Sequence, residues 1–472
     1  MAFVCLGVSG GSALAQDASD LPSAPTPNVA TMKLPGGVVV EQATPGVLPL
    51  SLDDAIERGM KRNLQMELSR QNERYVHGQV LTVKNNLLPS MTAKAQTGTQ
   101  EINLAALGFR PSALEGTGLP PEALKEIVKV STTSAQLNLN QQLFNVPAYY
   151  LYRASQKADT AASLTTLNTR GTVALMVGTQ YLLTLADAAQ IENAQALLKS
   201  DEVALQQATA SHDAGVGTNL DMLRARVQLQ TQQQVLINAE NAFAKDKIQL
   251  NRLMGLPAEQ ELKLTDTAPY SEFAELPLEQ AKALAFERRK DLLSLQAQLE
   301  VADRTRKAVK TERLPALAFD GYYGVLGETQ GLYHGVFSAS GKLTFPIFQE
   351  GQLRGELEVA EAQKHALQQQ IESLKVTIEQ QIRASMLDVQ SSAELVKVAQ
   401  SNVDLAAEAL RQALDRFAAG VEDNLPVVQA QATLADAQSR LVNTLYQYNQ
   451  SKLQLARNTG VVETQYKVYL GR

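Results

Sequence analysis

Apolar residues step by threes and fours across residues 349–417, a stretch with no proline and with its only glycines, Gly351 and Gly355, at the start. Leu353, Leu357, Ala360, Leu367, Ile371, Leu374 and Ile378 fall on one stripe. Val389, Ala393, Val396, Val403, Leu410, Leu414 and Phe417 fall on a second, and both have coiled-coil helix spacing. Between them the step becomes Leu374, Ile378, Ile382, Met386, three fours in a row, a stutter that locally unwinds a left-handed supercoil. Such a helix extends about 100 Å, more than an ordinary globular core uses. Residues 148–213 form its counterpart, with glycines only at Gly171 and Gly178.

Elsewhere the period drops to two. Ala135, Leu137, Leu139 and Leu143 alternate with Ser134, Gln136, Asn138, Asn140 and Gln142. Gly335, Phe337, Ala339, Leu343 and Phe345 do so against Ser338, Ser340, Lys342 and Thr344, and Leu317, Phe319, Gly321, Tyr323 and Val325 form one face of the strand before. Residues 91–100 repeat the pattern with smaller apolar residues. Ten-residue strands with one apolar and one polar face have the length and pattern of transmembrane β-strands; a half-buried sheet in water fits the alternation too. Tyr149, Tyr150, Tyr152, Tyr322, Tyr323, Tyr333, Phe345 and Phe348 are expected near the strand ends, where an interfacial aromatic belt lies. No apolar run after residue 15 reads as a transmembrane helix.

These elements occur twice. Leu50-Ser51-Leu52 matches Leu276-Pro277-Leu278, and Leu88-Pro89 matches Leu314-Pro315, at an offset of 226. Ala214-Gly215-Val216 matches Ala419-Gly420-Val421, and Gly255-Leu256 matches Gly460-Val461, at 205. The difference places an insertion of about 21 residues in the first copy, around 104–128, as an exposed hairpin loop in which 122–128 can add a short helix. Each repeat reads helix, two strands, very long helix, tight turn, helix. The chain then divides into 1–15, 16–49, a first repeat 50–256, a linker 257–275, a second repeat 276–460 and a tail 461–472.

Composition narrows the class. There is no Trp, aromatics make up 5%, and small residues crowd the helices, which favours close helix packing over a thick core. A net charge of -6 without a basic cluster argues against a nucleic-acid partner. Residues 1–15 are small and apolar and end Ala13-Leu14-Ala15, which fits a secretory signal cleaved after Ala15; a short disordered tail is the other reading. The basic n-region of such a signal is missing, and a true start a few codons earlier is the expectation that accounts for it. Cys5, the only cysteine, would leave with the signal unless it carries a lipid, and Ala2-Phe3-Val4 is a poor lipobox. Residues 16–49, rich in Pro, Ser and Thr, read as an extended leader. His77, His212, His334 and His365 lack metal-ligand spacing, and Gly215-x-Gly217 follows a helix where a dinucleotide fingerprint follows a strand. No catalytic, cofactor or metal site is expected, and Arg224 and Arg226 read as a solvated helix face.

Four strands cannot close a membrane barrel, and open edges in lipid are too costly. A homotrimer with twelve strands is the simplest closure, giving a mainly α chain with a transmembrane β-barrel continued by a long helical bundle.

With its signal-like start, duplicated strand-strand-long-helix units and the run AGVGTNLDMLRARVQL after the first long helix, the chain resembles the TolC-like outer-membrane efflux proteins from about residue 50 to 460. The resemblance implies a trimer with a twelve-stranded outer-membrane barrel, a periplasmic α-helical tunnel and an equatorial domain, here about 38–49, 261–275 and the tail after Gly460. It implies a passive exit duct, with an inner-membrane pump supplying energy and selecting substrate and a periplasmic adaptor (membrane fusion) protein bridging to it. Type I protein secretion shares this architecture; a coiled-coil surface trimer without a pore is a third reading, which leaves the alternating strands without a use.

The adaptor-docking tip would be Gly215, Val216, Gly217, Thr218, Gly420 and Val421. The same glycines also serve as left-handed helix ends, with Asn219 and Asn424 as caps. Asp221 matches the family's first-turn aspartate, but Phe417 and Glu422 stand at its tyrosine and arginine positions, so that closing network is not preserved. Asp221, Glu422 and Asp423 are candidates for a gate of negative charge that favours cations, or for stabilising helix N-termini through the dipole. Above the stutter the second long helix is expected to pack side by side as tunnel wall, and below it to pair with the helix from Leu425.

Overall fold

The computed structural model describes residues 46–107, 125–215, 217–266, 270–273, 276–329, 331–419 and 421–471. The expected signal, most of the leader, much of the insertion, Val216 and Gly420 lie outside them. Of the described residues, 71% are helical. In order it runs β1 (Leu48–Leu50), α1 (Leu52–Arg62), α2 (Leu64–Asn85), β2 (Ser90–Asn103), β3 (Ile127–Phe144), α3 (Val146–Asp213) and α4 (Asn219–Met254). The second half runs β4 (Leu262–Leu264), α5 (Leu278–Arg288), α6 (Lys290–Thr311), β5 (Ala316–Glu328), β6 (Tyr333–Thr344), α7 (Glu350–Ala418), α8 (Leu425–Asn458) and α9 (Val462–Leu470).

The duplication is exact enough to include a feature the periodicity hides. Each opening helical run breaks once, at Asn63 and at Arg289, two positions at the 226 offset. Asn63 caps α2 by accepting from Gln65 N at 2.9 Å and donates to the Leu253 carbonyl at 3.1 Å. Arg289 instead forks onto Asp291 and donates to Gln381. The repeat ends also match: Gly255 and Gly460 take left-handed backbone, with φ of 72° and 78°, as each helix terminates.

The four long strands form one antiparallel sheet in the order β2-β3-β5-β6. Its register lines up Met91, Leu139, Gly321 and Ala339, and beside them Ala93, Leu137, Tyr323 and Phe337. The opposite face carries Ser90, Asn140, Asp320 and Ser340, and Thr92, Asn138, Tyr322 and Ser338. The alternation does break once. Gln141 lies in register with the apolar row, donating to the Leu87 carbonyl, and a bulge between Gln142 and Phe144 turns β3 toward α3. Ile127 and Val128 open β3 rather than extending a loop helix.

The helices follow the same order. Above the middle of the molecule α2, α3, α6 and α7 are successive neighbours, each continuing from its strand. Ser294 of α6 donates to the Ala161 carbonyl of α3 at 3.0 Å, stitching the repeats together. Below it α3 pairs with α4 and α7 with α8. The change of partner on α7 is visible in its core: Ile371, Ile378 and Ile382 cluster with Ala281, Ala285 and Leu292, whereas Val389 and Val396 cluster with Tyr448 and Leu453. The phase change lies elsewhere than expected. Ile371, Ile378, Ile382, Ser385, Val389, Ser392, Val396 and Ala399 keep heptad spacing through that switch, and the four-residue slip falls in the eleven residues from Ala360 to Ile371.

The main core lies where β1 pairs in parallel with β4 against α1, α3, α8 and α9. Tyr181, fully buried, donates to the Leu50 carbonyl at 3.0 Å and Asp266 at 2.8 Å. A Cβ at Gly178 would meet Leu453 at 3.2 Å, so the helices approach closely there. The tail is a helix whose Tyr466 reaches Asp53 and whose Tyr469 ring stacks 5.2 Å from Phe273. α3 does contain a stretch long and apolar enough to cross a membrane by composition, and half of that stretch is buried inside the chain.

Candidate functional site

Two regions expose chemistry that the fold itself does not consume: the two turns at the far end of the helices, and the strand sheet with its base.

In the first turn Ala214 N–H bonds the Ala210 carbonyl and Gly215, at φ 74°, bonds that of His212. Gly217 N–H returns to the Ser211 carbonyl at 2.9 Å, and a Cβ on Gly217 would press against Ser211 and His212, so glycine is required. The cap of α4 is Thr218, one residue before the expected Asn219. Its hydroxyl accepts from Asp221 N, and the Asp221 carboxylate accepts from the Thr218 hydroxyl at 2.6 Å and its N–H at 3.3 Å, a complete capping box.

In the second turn the roles are redistributed. Asn424 occupies the cap position but makes no capping bond; it is buried, and its Nδ2 donates to the Asp221 carbonyl at 2.9 Å across the turns. Asp423 accepts from Leu425 N at 3.1 Å, and Glu422 from Arg416 at 3.1 Å. Arg226 is exposed, and Arg224, partly exposed, also lies 3.7 Å from Asp221 and 3.4 Å from Asp423, pairing the turns. The three gate candidates are therefore brought within one tip, each with an arginine beside it. Val421 is exposed.

Beside the tip a groove of about 320 Å³ opens between α4 and α8, lined by Leu220, Leu223, Arg224, Val227, Gln228 and Val428. The 3-and-4 spacing of Leu220, Leu223 and Val227 was the available signal for this exposed stripe, masked by the general apolar periodicity of the helices.

The sheet's apolar face is open: Leu137, Tyr323, Phe337 and Leu343 are all exposed. The aromatics divide differently from expectation. Tyr322 and Tyr323 sit in mid-strand, whereas Phe144, Tyr149, Phe345 and Phe348 gather at the base where strands meet helices, with Ile347 at 90% and Phe348 at 95% exposure. On the polar face Asn140 donates to Asp320, and Lys94, Glu328 and Lys342 complete a charge-balanced surface. Among the described residues no group of three His, Cys, Asp or Glu is arranged to hold a metal.

Residues 55–256 and 283–461 match the family described as "Outer membrane efflux protein". A pyoverdine export outer membrane protein of Pseudomonas putida is 26% identical over 60% of this chain and 58% of its own length. An alkaline protease secretion protein of Pseudomonas aeruginosa is 24% identical over 69% of each. The Campylobacter jejuni CmeC outer membrane channel shares the fold, with a TM-score of 0.74 at 16% identity over 87% of this chain and 86% of that one. The chain thus spans about 60% of the first curated relatives it matches.

Proposed function

This chain belongs to the outer membrane efflux protein family, and from that membership we propose that it is the outer-membrane exit duct of a tripartite export system, with most of its length in the periplasm. The observation that carries the reading is the open order shared by sheet and helices. Among the described residues β2 and β6 are edges without a partner, and α2 and α7 are the corresponding outer helices of the wall. An even strand number lets β6 of one copy pair antiparallel with β2 of the next, so three copies close twelve strands and leave no edge in lipid. The polar face then lines a lumen and the apolar face meets lipid.

The adaptor docks at the tip around Gly215, Val216, Gly217, Thr218, Gly420 and Val421, where the Leu220, Leu223, Val227 groove offers an apolar seat for a helical partner. Asp221, Glu422 and Asp423 gate it: the Arg224–Asp423 ion pair ties the two turns together, and the Arg416–Glu422 pair braces the second turn. The pump at the inner membrane supplies energy and selects the substrate. A second reading, the exit duct of type I protein secretion, is favoured by the likeness to the alkaline protease secretion protein.

Heat-modified mobility combined with single-channel recording tests the duct: the purified trimer should conduct, and a trimer without conductance would indicate a surface coiled coil. Glu422→Gln with Asp423→Asn should raise conductance and reduce cation selectivity; unchanged values would remove these residues from the gate.

A further inference from the structure

α3 and α4 carry acidic side chains in places where a charge is costly. Asp201 is 2% exposed and lies in a polar layer with Gln232 and Gln431, both equally buried. Gln228 Nε2 of α4 is 3.5 Å from Asp201 Oδ2, Gln232 donates to the Ala194 carbonyl at 3.2 Å, and Gln431 of α8 reaches Ser200 Oγ at 3.5 Å. Asp201 Oδ1 is sealed from water with no donor. Roughly 21 Å away along the helix, Asp187 Oδ2 is sealed in the same manner. Asp187 contacts Asp246 of α4, whose Oδ1 already accepts from Gln180 Nε2 at 3.0 Å. Two ionised carboxylates in contact offer each other no donor. One proton held between them gives the orphaned oxygen its hydrogen bond.

We propose that α3 and α4 are fastened by two proton-bearing carboxylates, Asp187 against Asp246 and Asp201 within the glutamine layer, so that the pair is tight in mildly acidic medium and loosens toward neutrality. Burial, reinforced by Asp246, pushes Asp187 up to about 7. Burial pushes Asp201 up to about 6 against the lowering effect of Gln228. Both values lie above the ordinary carboxylate range, so the closed pair binds more protons than the open one. The stabilisation is complete below that range and is lost as pH rises through about 6 and then about 7.

The other groups on the packed helices do not alter this sign. Tyr446 of α8 has its phenol pushed up by burial, then by Asp246 and Asp187. Asp246 of α4 and Tyr446 of α8 are thus the titratable neighbours of Asp187 from the helices packed on it. Beside Asp201 the side chain that acts on it is Gln228 of α4, which carries no charge.

Hydrogen exchange of the full-length protein in detergent, near pH 5.5 and near pH 8 and corrected for intrinsic rates, reads this opening directly. Residues 180–205 and 225–250 should lose protection at the higher pH, by up to about tenfold per pH unit for each linked proton. Asp187→Asn with Asp201→Asn keeps the shape and a donor of the protonated acids and should hold both segments protected at both pH values. α7, whose buried residues include no acid, should behave alike in both proteins. A wild type without pH dependence in these segments, or a double variant that keeps it, overturns the proposal. If the double variant fails to fold, Asp246→Asn alone should move the transition of residues 180–190 to lower pH, and an unmoved transition has the same force.

Discussion

Asp221 shows how one residue can satisfy two readings of its position. Its match to the first-turn aspartate of the resembled family made it a candidate gate acid, and the structure gives its carboxylate to the Thr218 cap and its carbonyl to Asn424. A charge at a helix N-terminus is stabilised by the unpaired N–H groups there, which is why the local role was legible from Thr218-x-x-Asp221 once read as a capping box. The link to Asn424 was not, because it joins residues 203 apart. Thr218→Ala should lower the stability of the α3–α4 end by about 1 kcal/mol, seen as faster local hydrogen exchange with little change in global melting. Tyr181→Phe should cost about 1 kcal/mol, because it removes a buried hydrogen bond while Thr265 still donates to the Leu50 carbonyl and Leu52 N–H to Asp266; urea unfolding of the variant measures it.

At the level of elements, strand type and helix length followed from periods of 2 and 3.6, but boundaries and phase did not. The bulge after Gln142 arises where a strand must deliver the chain into α3, a demand of connection that a glutamine in an alternating run does not announce. The slip on α7 was misplaced because Leu374 and Met386 are apolar yet only half-buried, so apolar spacing and buried spacing differ by a few residues. Gly324 illustrates a constraint set by neighbours: a Cβ there would collide with the Ala135 carbonyl of β3. Gly324→Val should therefore disrupt the β3–β5 pairing and reduce the yield of folded, heat-modifiable protein on gels. Between α6 and α7, Lys307 and then Lys364 hold Asp303 down to about 2. Its contribution is present above the ordinary carboxylate range and is lost as pH falls toward about 2. Asp303→Asn should cost less than about 1 kcal/mol at pH 7 and nothing near pH 2, a difference that melting curves at the two pH values would show.

For the whole molecule, the exposed base of the sheet is the feature a single chain leaves unexplained. Phe345, Ile347 and Phe348 project from it, which is unfavourable in water and favourable at a lipid interface. Phe345→Ser with Phe348→Ser should reduce flotation of the refolded protein with liposomes while leaving its helical signal by circular dichroism unchanged. The sequence alone determined the duplication, the helix and strand classes, the apolar and polar sheet faces and the glycine turn at Gly215, because each rests on local periodicity or local backbone geometry. Only the tertiary structure decided that β3 and β5 join the two repeats into one sheet, that α2, α3, α6 and α7 follow in the same order, that Arg224 and Asn424 tie the turns together, and that Asp187 and Asp201 are buried. Those outcomes depend on which distant surfaces meet, and a one-dimensional pattern fixes what a surface is made of without fixing what it will face.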